Sequence, residues 1–166
     1  IFFTIEPGEI VALVGPIGCG KTTLARALGR MVPFNKGQLF LDGIDVIDLA
    51  LEDVRKNIAF VPQEGYLFTS TLAENLKYGE PNASEAIVEK YAKQANLIED
   101  IRGFPDGFNT LVGERGITLS GGQRQRTALG RALLISSPVI LLDDALASVD
   151  NETASEILKS IRSQRS

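Results

Sequence analysis

Apolar positions fall in two rhythms along this 166-residue chain. Short runs that are apolar at every position, such as Ile10-Val11-Ala12-Leu13-Val14 and Val139-Ile140-Leu141-Leu142, read as strands buried on both faces, the pattern of a parallel sheet covered by helices. Strands are predicted over Ile10 to Gly15, Gln38 to Asp42, Ile58 to Pro62 and Val139 to Asp143. Elsewhere apolar residues return every three or four positions, which predicts helices over Lys21 to Gly29, Leu51 to Asn57, Thr71 to Tyr78, Ser84 to Ala95, Gly122 to Ile135 and Glu152 to Arg162. Strands joined through helices imply an α/β fold with a mostly parallel sheet flanked by helices. Between Thr71 and Thr118 the pattern turns helical, with Ile87, Tyr91, Ala95 and Ile98 on one face. Breaks at Gly79-Glu80-Pro81-Asn82 and Phe104-Pro105-Asp106-Gly107 punctuate it. No internal repeat or low-complexity stretch is present.

The first strand runs into Gly15-Pro16-Ile17-Gly18-Cys19-Gly20-Lys21-Thr22, which fits the template G-x-x-x-x-G-K-[ST] in the strand-to-helix setting that this motif requires. Glycines let the backbone curl so that several N–H groups point at one phosphate, and the following helix offers its positive dipole end. Lys21 is a mobile cation for β and γ oxygens, and the Thr22 hydroxyl is a ligand for a bridging Mg2+. Four fixed positions in the right context leave little room for an accidental Lys-Thr after a glycine turn.

The last predicted strand ends in Asp143-Asp144. In open α/β sheets ligands bind at the carboxyl ends of the strands, so Asp143 is placed to hold Mg2+ through water and Asp144 to orient or deprotonate an attacking water. Two acids after a strand, taken alone, more often cap a helix or line a solvated turn; the phosphate loop upstream reverses that balance. Ser120-Gly121-Gly122-Gln123 then opens a helix that runs on through Ala132-Leu133. In isolation it reads equally as an N-cap with flexible glycines.

Together these segments resemble the nucleotide-binding domain of ABC transporters. The Walker A motif matches at Gly15 to Thr22, the Q-loop at Gln63, the signature at Leu119 to Gln123, Walker B at Val139 to Asp143 and the D-loop at Ala147-Ser148-Val149-Asp150. Thr110-Leu111-Val112-Gly113-Glu114-Arg115-Gly116 is similar to a stretch typical of exporter-type domains, and so are Val61 to Phe68 and Thr71 to Leu76. The resemblance implies a P-loop NTPase core over 1–70 and 136–166, with an inserted α-helical subdomain over about 71–135 that carries the signature. It implies ATP and Mg2+ as ligands, held by Gly15, Pro16, Ile17, Gly18, Cys19, Gly20, Lys21, Thr22 and Thr23, with Thr22, Gln63 and Asp143 around the metal and Asp144, Gln63 and Lys21 in catalysis.

It also implies a head-to-tail dimer in which Ser120, Gly121, Gly122 and Gln123 of one domain close over ATP on the other. Physically, Ser120 and the N–H groups of Gly121 and Gly122 make a second helix-start anion site. Residues just after Gln63 would touch a transmembrane domain, at the cytoplasmic face of a membrane. Read without the resemblance, Tyr66, Leu67 and Phe68 are ordinary core or staple residues, and Glu114-Arg115 is a solvated pair worth little.

Composition agrees with this reading without producing it. The chain is 44% hydrophobic and 23% charged, ordinary for one globular domain. A net charge of −4 argues against a nucleic-acid surface, and Arg124, Arg126 and Arg131 lie at helical spacing, where a solvated or salt-bridged face is the default. Cys19 is the single cysteine, so no internal disulfide forms and a reducing compartment is expected. Its thiol is either alkylation-sensitive or inertly packed. No run reaches the roughly 18 apolar residues of a membrane span, and Ile1 to Glu9 reads as the end of a strand and a turn inside the domain. The chain is therefore expected to be a fragment truncated at both ends, with any membrane part elsewhere.

Three departures from the resembled pattern bear on mechanism. Asp144 stands where hydrolysing sites usually carry Glu, and its carboxylate sits one methylene, about 1.5 Å, closer to the backbone. A misplacement of roughly 1 Å can cost 10²-fold in rate, so slow hydrolysis is expected unless the backbone compensates. The chain has no histidine, so the switch histidine expected beyond the D-loop is not in it. The aromatic residue that stacks on adenine belongs upstream, since Phe2 and Phe3 sit too near the phosphate loop and read as core residues. Asp144 favours one half of a heterodimeric exporter whose partner supplies a Glu. The alternatives are a regulatory ATP-binding module, and a non-transport ABC ATPase, for which the stretch between Thr22 and Leu119 lacks the long heptad insertion.

Overall fold

The computed structural model describes residues 2–113, 118–147 and 149–164. Helix α1 (Lys21–Leu28) follows the glycine turn, and the hairpin β1 (Phe40–Leu41) and β2 (Ile44–Asp45) precedes α2 (Leu51–Asn57) and β3 (Ile58–Val61). Next come β4 (Ser70–Thr71), α3 (Leu72–Lys77), α4 (Glu85–Gln94), α5 (Ile98–Gly103) and β5 (Leu111–Val112). The long helix α6 (Gly121–Leu134), β6 (Val139–Leu142) and α7 (Asn151–Gln164) complete the order.

The strand that ends in the two aspartates pairs in parallel with β3, Ile58 opposite Val139 through Val61 opposite Leu142. Strand alternation then divides the apolar side chains between two faces. Ala59, Val61, Ile140 and Leu142 pack with Leu129, Leu133 and Ile157 from α6 and α7, whereas Ile58, Val139 and Leu141 pack with Val46 and Val54 from the α2 side. The uninterrupted apolar run of β6 thus has the cause inferred from the sequence, cover on both faces. A third cluster, of Leu67, Leu72, Leu76, Val88, Leu97 and Leu134, binds α3 and α4 to the far side of α6.

Several expectations are corrected. Among the described residues the sheets are three two-stranded pairs, β3 and β6 parallel but β1 with β2 and β4 with β5 antiparallel, so the pairing is less parallel than the strand-helix alternation suggested. Ile10 to Gly15 is not a strand. An apolar run becomes a strand only where a ladder partner accepts its backbone groups, and among the described residues β6 is paired with β3 alone. Left unpaired, Val14 is 93% exposed. Phe2, at 105%, and Phe3, at 43%, lie on the same uncovered segment and are not core residues. Glu114 to Gly116 and Ser148 lie outside the described residues. No helix among the described residues is long and apolar enough to cross a membrane.

Candidate functional site

The glycine turn owes its shape to backbone torsion. Gly18 and Gly20 have φ of +82° and +97°, and an added Cβ would meet nothing within 4 Å at either position; the left-handed conformation, not crowding, demands glycine. Gly20 caps α1, and its C=O accepts the Leu24 N–H at 2.9 Å. Lys21 bends back over the loop, donating from Nζ to the carbonyls of Gly15 at 2.8 Å and Pro16 at 3.0 Å. Cys19 is exposed, with Sγ 3.9 Å from the same Nζ. Ile17 projects fully into solvent.

Asp143 extends the β6 ladder, its N–H donating to the Val61 carbonyl at 2.9 Å. Its side chain is buried, and Oδ1 accepts the Thr22 hydroxyl at 2.8 Å across 121 positions of sequence. Asp144, the next residue, takes a left-handed φ of 52°, which Asp tolerates better than most residues. This turn brings Oδ2 within 3.4 Å of Gln63 Nε2. The structure therefore gathers Lys21, Thr22, Gln63, Asp143 and Asp144 at one edge, from the first turn of α1 and from just beyond the ends of β3 and β6. Among the described residues no cluster of three or more His, Cys, Asp or Glu could hold a metal unaided. One hydroxyl and one buried carboxylate form instead the sparse oxygen set that suits Mg2+, which retains waters and shares phosphate oxygens.

Ser120 to Gln123 stand apart from that edge. Ser120 Oγ accepts the Gln123 N–H at 3.2 Å while Gln123 Oε1 accepts the Ser120 N–H at 2.9 Å, a reciprocal capping box. One turn further along α6, Gln125 Nε2 donates to the Gln63 carbonyl at 2.9 Å, so the signature helix grips the Gln63 loop directly. Gly65 permits this closeness, since an added Cβ there would lie 2.7 Å from the Arg124 carbonyl. Beyond it Tyr66 is exposed, Leu67 fully buried, and Phe68 stacks on Tyr78 with centroids 4.2 Å apart. At the D-loop, Asp150 accepts the Thr153 N–H at 2.9 Å at the start of α7, a bond that holds its carboxyl below the usual range.

Arg131 departs from the expected solvated or salt-bridged face, which Arg126 keeps. Its guanidinium donates to the Asn75 carbonyl at 2.8 Å, Asn75 Oδ1 at 3.0 Å and the Tyr66 carbonyl at 3.1 Å, beside the stacked rings of Phe68 and Tyr78. Burial lowers its proton affinity from the ordinary value. Arg126 pairs instead with Asp100. Sequence reasoning passed over Asn75, Asp100, Gln125 and Gly65. Only Asn75 carried a signal, a polar residue beside Leu72 and Leu76 on an otherwise apolar helix face.

This geometry has counterparts in known proteins. The family description "ABC transporter" matches residues 1–147. An ATP-dependent lipid A-core flippase of Aromatoleum aromaticum is 45% identical over 158 residues, covering 95% of this chain and 26% of the flippase. The mitochondrial iron-sulfur clusters transporter ATM1 of Candida albicans is 43% identical over 161 residues, covering 97% of this chain and 22% of the transporter. A solved bacterial Atm1-family ABC exporter with ATP bound superposes with a TM-score of 0.93 at 39% identity, covering 99% of this chain and 29% of that one. The chain thus spans about a quarter of the length of these relatives. With the family model matching residues 1–147 of its 166, this chain belongs to the ABC transporter family.

Proposed function

We propose that this chain is the ATP-binding and ATP-hydrolysing motor domain of an ABC exporter, pairing with a second such domain around Mg-ATP to drive transport across a membrane. The observation that carries the reading is the 2.8 Å bond between Thr22 and Asp143, two oxygen donors suited to one cation, beside a lysine lying on the phosphate loop. When ATP enters, Lys21 exchanges the carbonyls of Gly15 and Pro16 for phosphate oxygens, and N–H groups of the 15–22 turn donate to the same anion. Bound Mg2+ would be held by Thr22 and Asp143, with Gln63 beside it, and would neutralise developing charge on the phosphates. Asp144 orients the attacking water, positioned through Gln63.

Ser120 is exposed and, among the described residues, its turn makes no hydrogen bond to Lys21 or Thr22, which supports a signature that serves a nucleotide on another domain. The third apolar cluster supports division into a core over 1–70 and 136–166 and a helical subdomain over about 71–135. Exposed Tyr66, after Gln63, supports contact with a transmembrane domain, the whole lying at the cytoplasmic face. Asp144 favours a second reading of the same assembly: a heterodimer in which this site holds ATP through many cycles while the partner's site hydrolyses it. ATP binding to the intact transporter with Lys21→Met tests the core of the proposal. At least a tenfold loss of affinity is expected, since the cation among the β and γ oxygens is removed; unchanged affinity would refute it.

A further inference from the structure

The turn at Ser120 is held from outside the signature. Gln123 closes the capping box with Oε1, and the other end of its amide is also engaged: Nε2 donates to Asp100 Oδ1, on α5, at 3.0 Å. Asp100 Oδ2 takes Arg126 Nη2 at 2.7 Å. One carboxylate thus uses both oxygens on two side chains three positions apart on α6, and it does so largely out of water, at 15% exposure for Arg126 and 24% for Asp100.

The chemistry of the three groups fixes the direction of the chain between them. A carboxylate only accepts and the Ser120 N–H only donates, so one orientation alone of the Gln123 amide satisfies both. Without an acceptor at Nε2 the amide is tethered at one end only, so its rotamer is no longer fixed and the bond from the Ser120 N–H to Oε1 opens more readily. Arg126 adds rigidity in the same place: its Nε is buried without a partner among the described residues, so Nη2 to Asp100 is the bond that holds the guanidinium.

We propose that Asp100 is a positioning residue for Ser120 to Gln123, locking the signature turn through Gln123 in the shape that receives an anion. This rests on the reading above, in which that turn closes on a partner's nucleotide. Asp100 touches neither nucleotide nor metal. Its effect passes through the Gln123 amide, with Arg126 stiffening the same carboxylate, so it alters closure and turnover and leaves ATP binding at Lys21 as it was.

The test uses the intact transporter in three forms: wild type, Asp100→Ala, and the paired change Asp100→Leu with Arg126→Met, which replaces the ion pair by apolar groups and guards against simple misfolding. Backbone hydrogen exchange over 118–124 is expected to rise roughly tenfold in both variants. kcat should fall about tenfold, with ATP affinity at the open site within twofold of wild type. Adding Gln123→Ala to Asp100→Ala should cost little more, because both act through one contact. Wild-type exchange over 118–124 in a folded variant overturns the positioning role itself. Raised exchange with unchanged kcat and unchanged ATP-driven pairing overturns it differently, by showing that the signature turn does not act on a partner's nucleotide.

Discussion

Asn75 offers the most quantitative handle on how α6 and the Gln63 loop are tied together. Its side chain is 1% exposed and makes four hydrogen bonds: Oδ1 accepts the Phe68 N–H at 2.8 Å and Arg131 Nη2 at 3.0 Å, while Nδ2 donates to the carbonyls of Phe68 at 2.9 Å and Thr71 at 3.0 Å. Asn75→Ala removes all four. Arg131 keeps the Asn75 and Tyr66 carbonyls, so its loss is partial, but the Phe68 N–H is stranded in a buried site. An unsatisfied buried group costs about 1–3 kcal/mol; one stranded donor, two weakened carbonyls and the space left by the amide together give about 3 kcal/mol. Against a total stability of 5–15 kcal/mol for typical domains, that corresponds to a fall in Tm of about 6–12 °C. Urea unfolding and thermal melting measure it directly, with the urea slope unchanged. Asn75→Asp should lose about as much despite facing Arg131, because a carboxylate oxygen would then meet the Phe68 and Thr71 carbonyls. A loss under about 1 kcal/mol for Asn75→Ala would show that the bonds around Phe68 do not anchor the loop.

Three further outcomes follow from the same structure. Asp144→Glu in the intact transporter should raise steady-state ATP turnover, roughly tenfold or more, since the added methylene extends a carboxylate now 3.4 Å from Gln63 by about 1.5 Å; unchanged turnover would mean that backbone geometry already compensates. Gly65→Ala drives a Cβ to 2.7 Å from the Arg124 carbonyl and should cost about 1–3 kcal/mol in chemical unfolding while slowing hydrolysis, whereas wild-type values for both would show that the Gln63 loop does not need this close approach. Asp45 accepts the N–H groups of Ile47 and Gly37, which hold its carboxyl below the ordinary 3.8. The stability this adds is complete above that value and is lost as pH falls through the lowered one, so the Tm gap between wild type and Asp45→Asn should be constant above about pH 4 and narrow as pH falls below it; a gap that widens on acidification would contradict the assignment.

The aspartate pair was legible because it ends an apolar strand, and the glycine turn because its fixed spacing places glycine where the backbone is left-handed, at Gly18 and Gly20. Thr22 meets Asp143 because both elements end at the same edge, which the order of strands and helices already implied. Ile10 to Gly15 misled for a related reason: apolar residues at every position specify a buried strand, but pairing depends on a neighbour that the pattern of one segment does not reveal. Arg131 was misread because helical spacing reports which residues share a face and not what covers it, and here Phe68 and Tyr78 do. Asp100 had no signal at all. Its role comes from the approach of α5 to the start of α6, a tertiary contact that the sequence of α5 does not announce.

The central claim is that Thr22 and Asp143, separated in sequence and bonded in space, jointly hold the cation of one Mg-ATP. Equilibrium titration of the intact transporter with a fluorescent ATP analogue, with Mg2+ and with EDTA, tests it on wild type, Thr22→Val and Asp143→Asn. The account predicts tight binding to wild type with Mg2+, at least tenfold weaker binding in EDTA, and little difference between the two conditions in either variant. Equal affinity in Mg2+ and EDTA for wild type, or an undiminished Mg2+ effect in both variants, would contradict it.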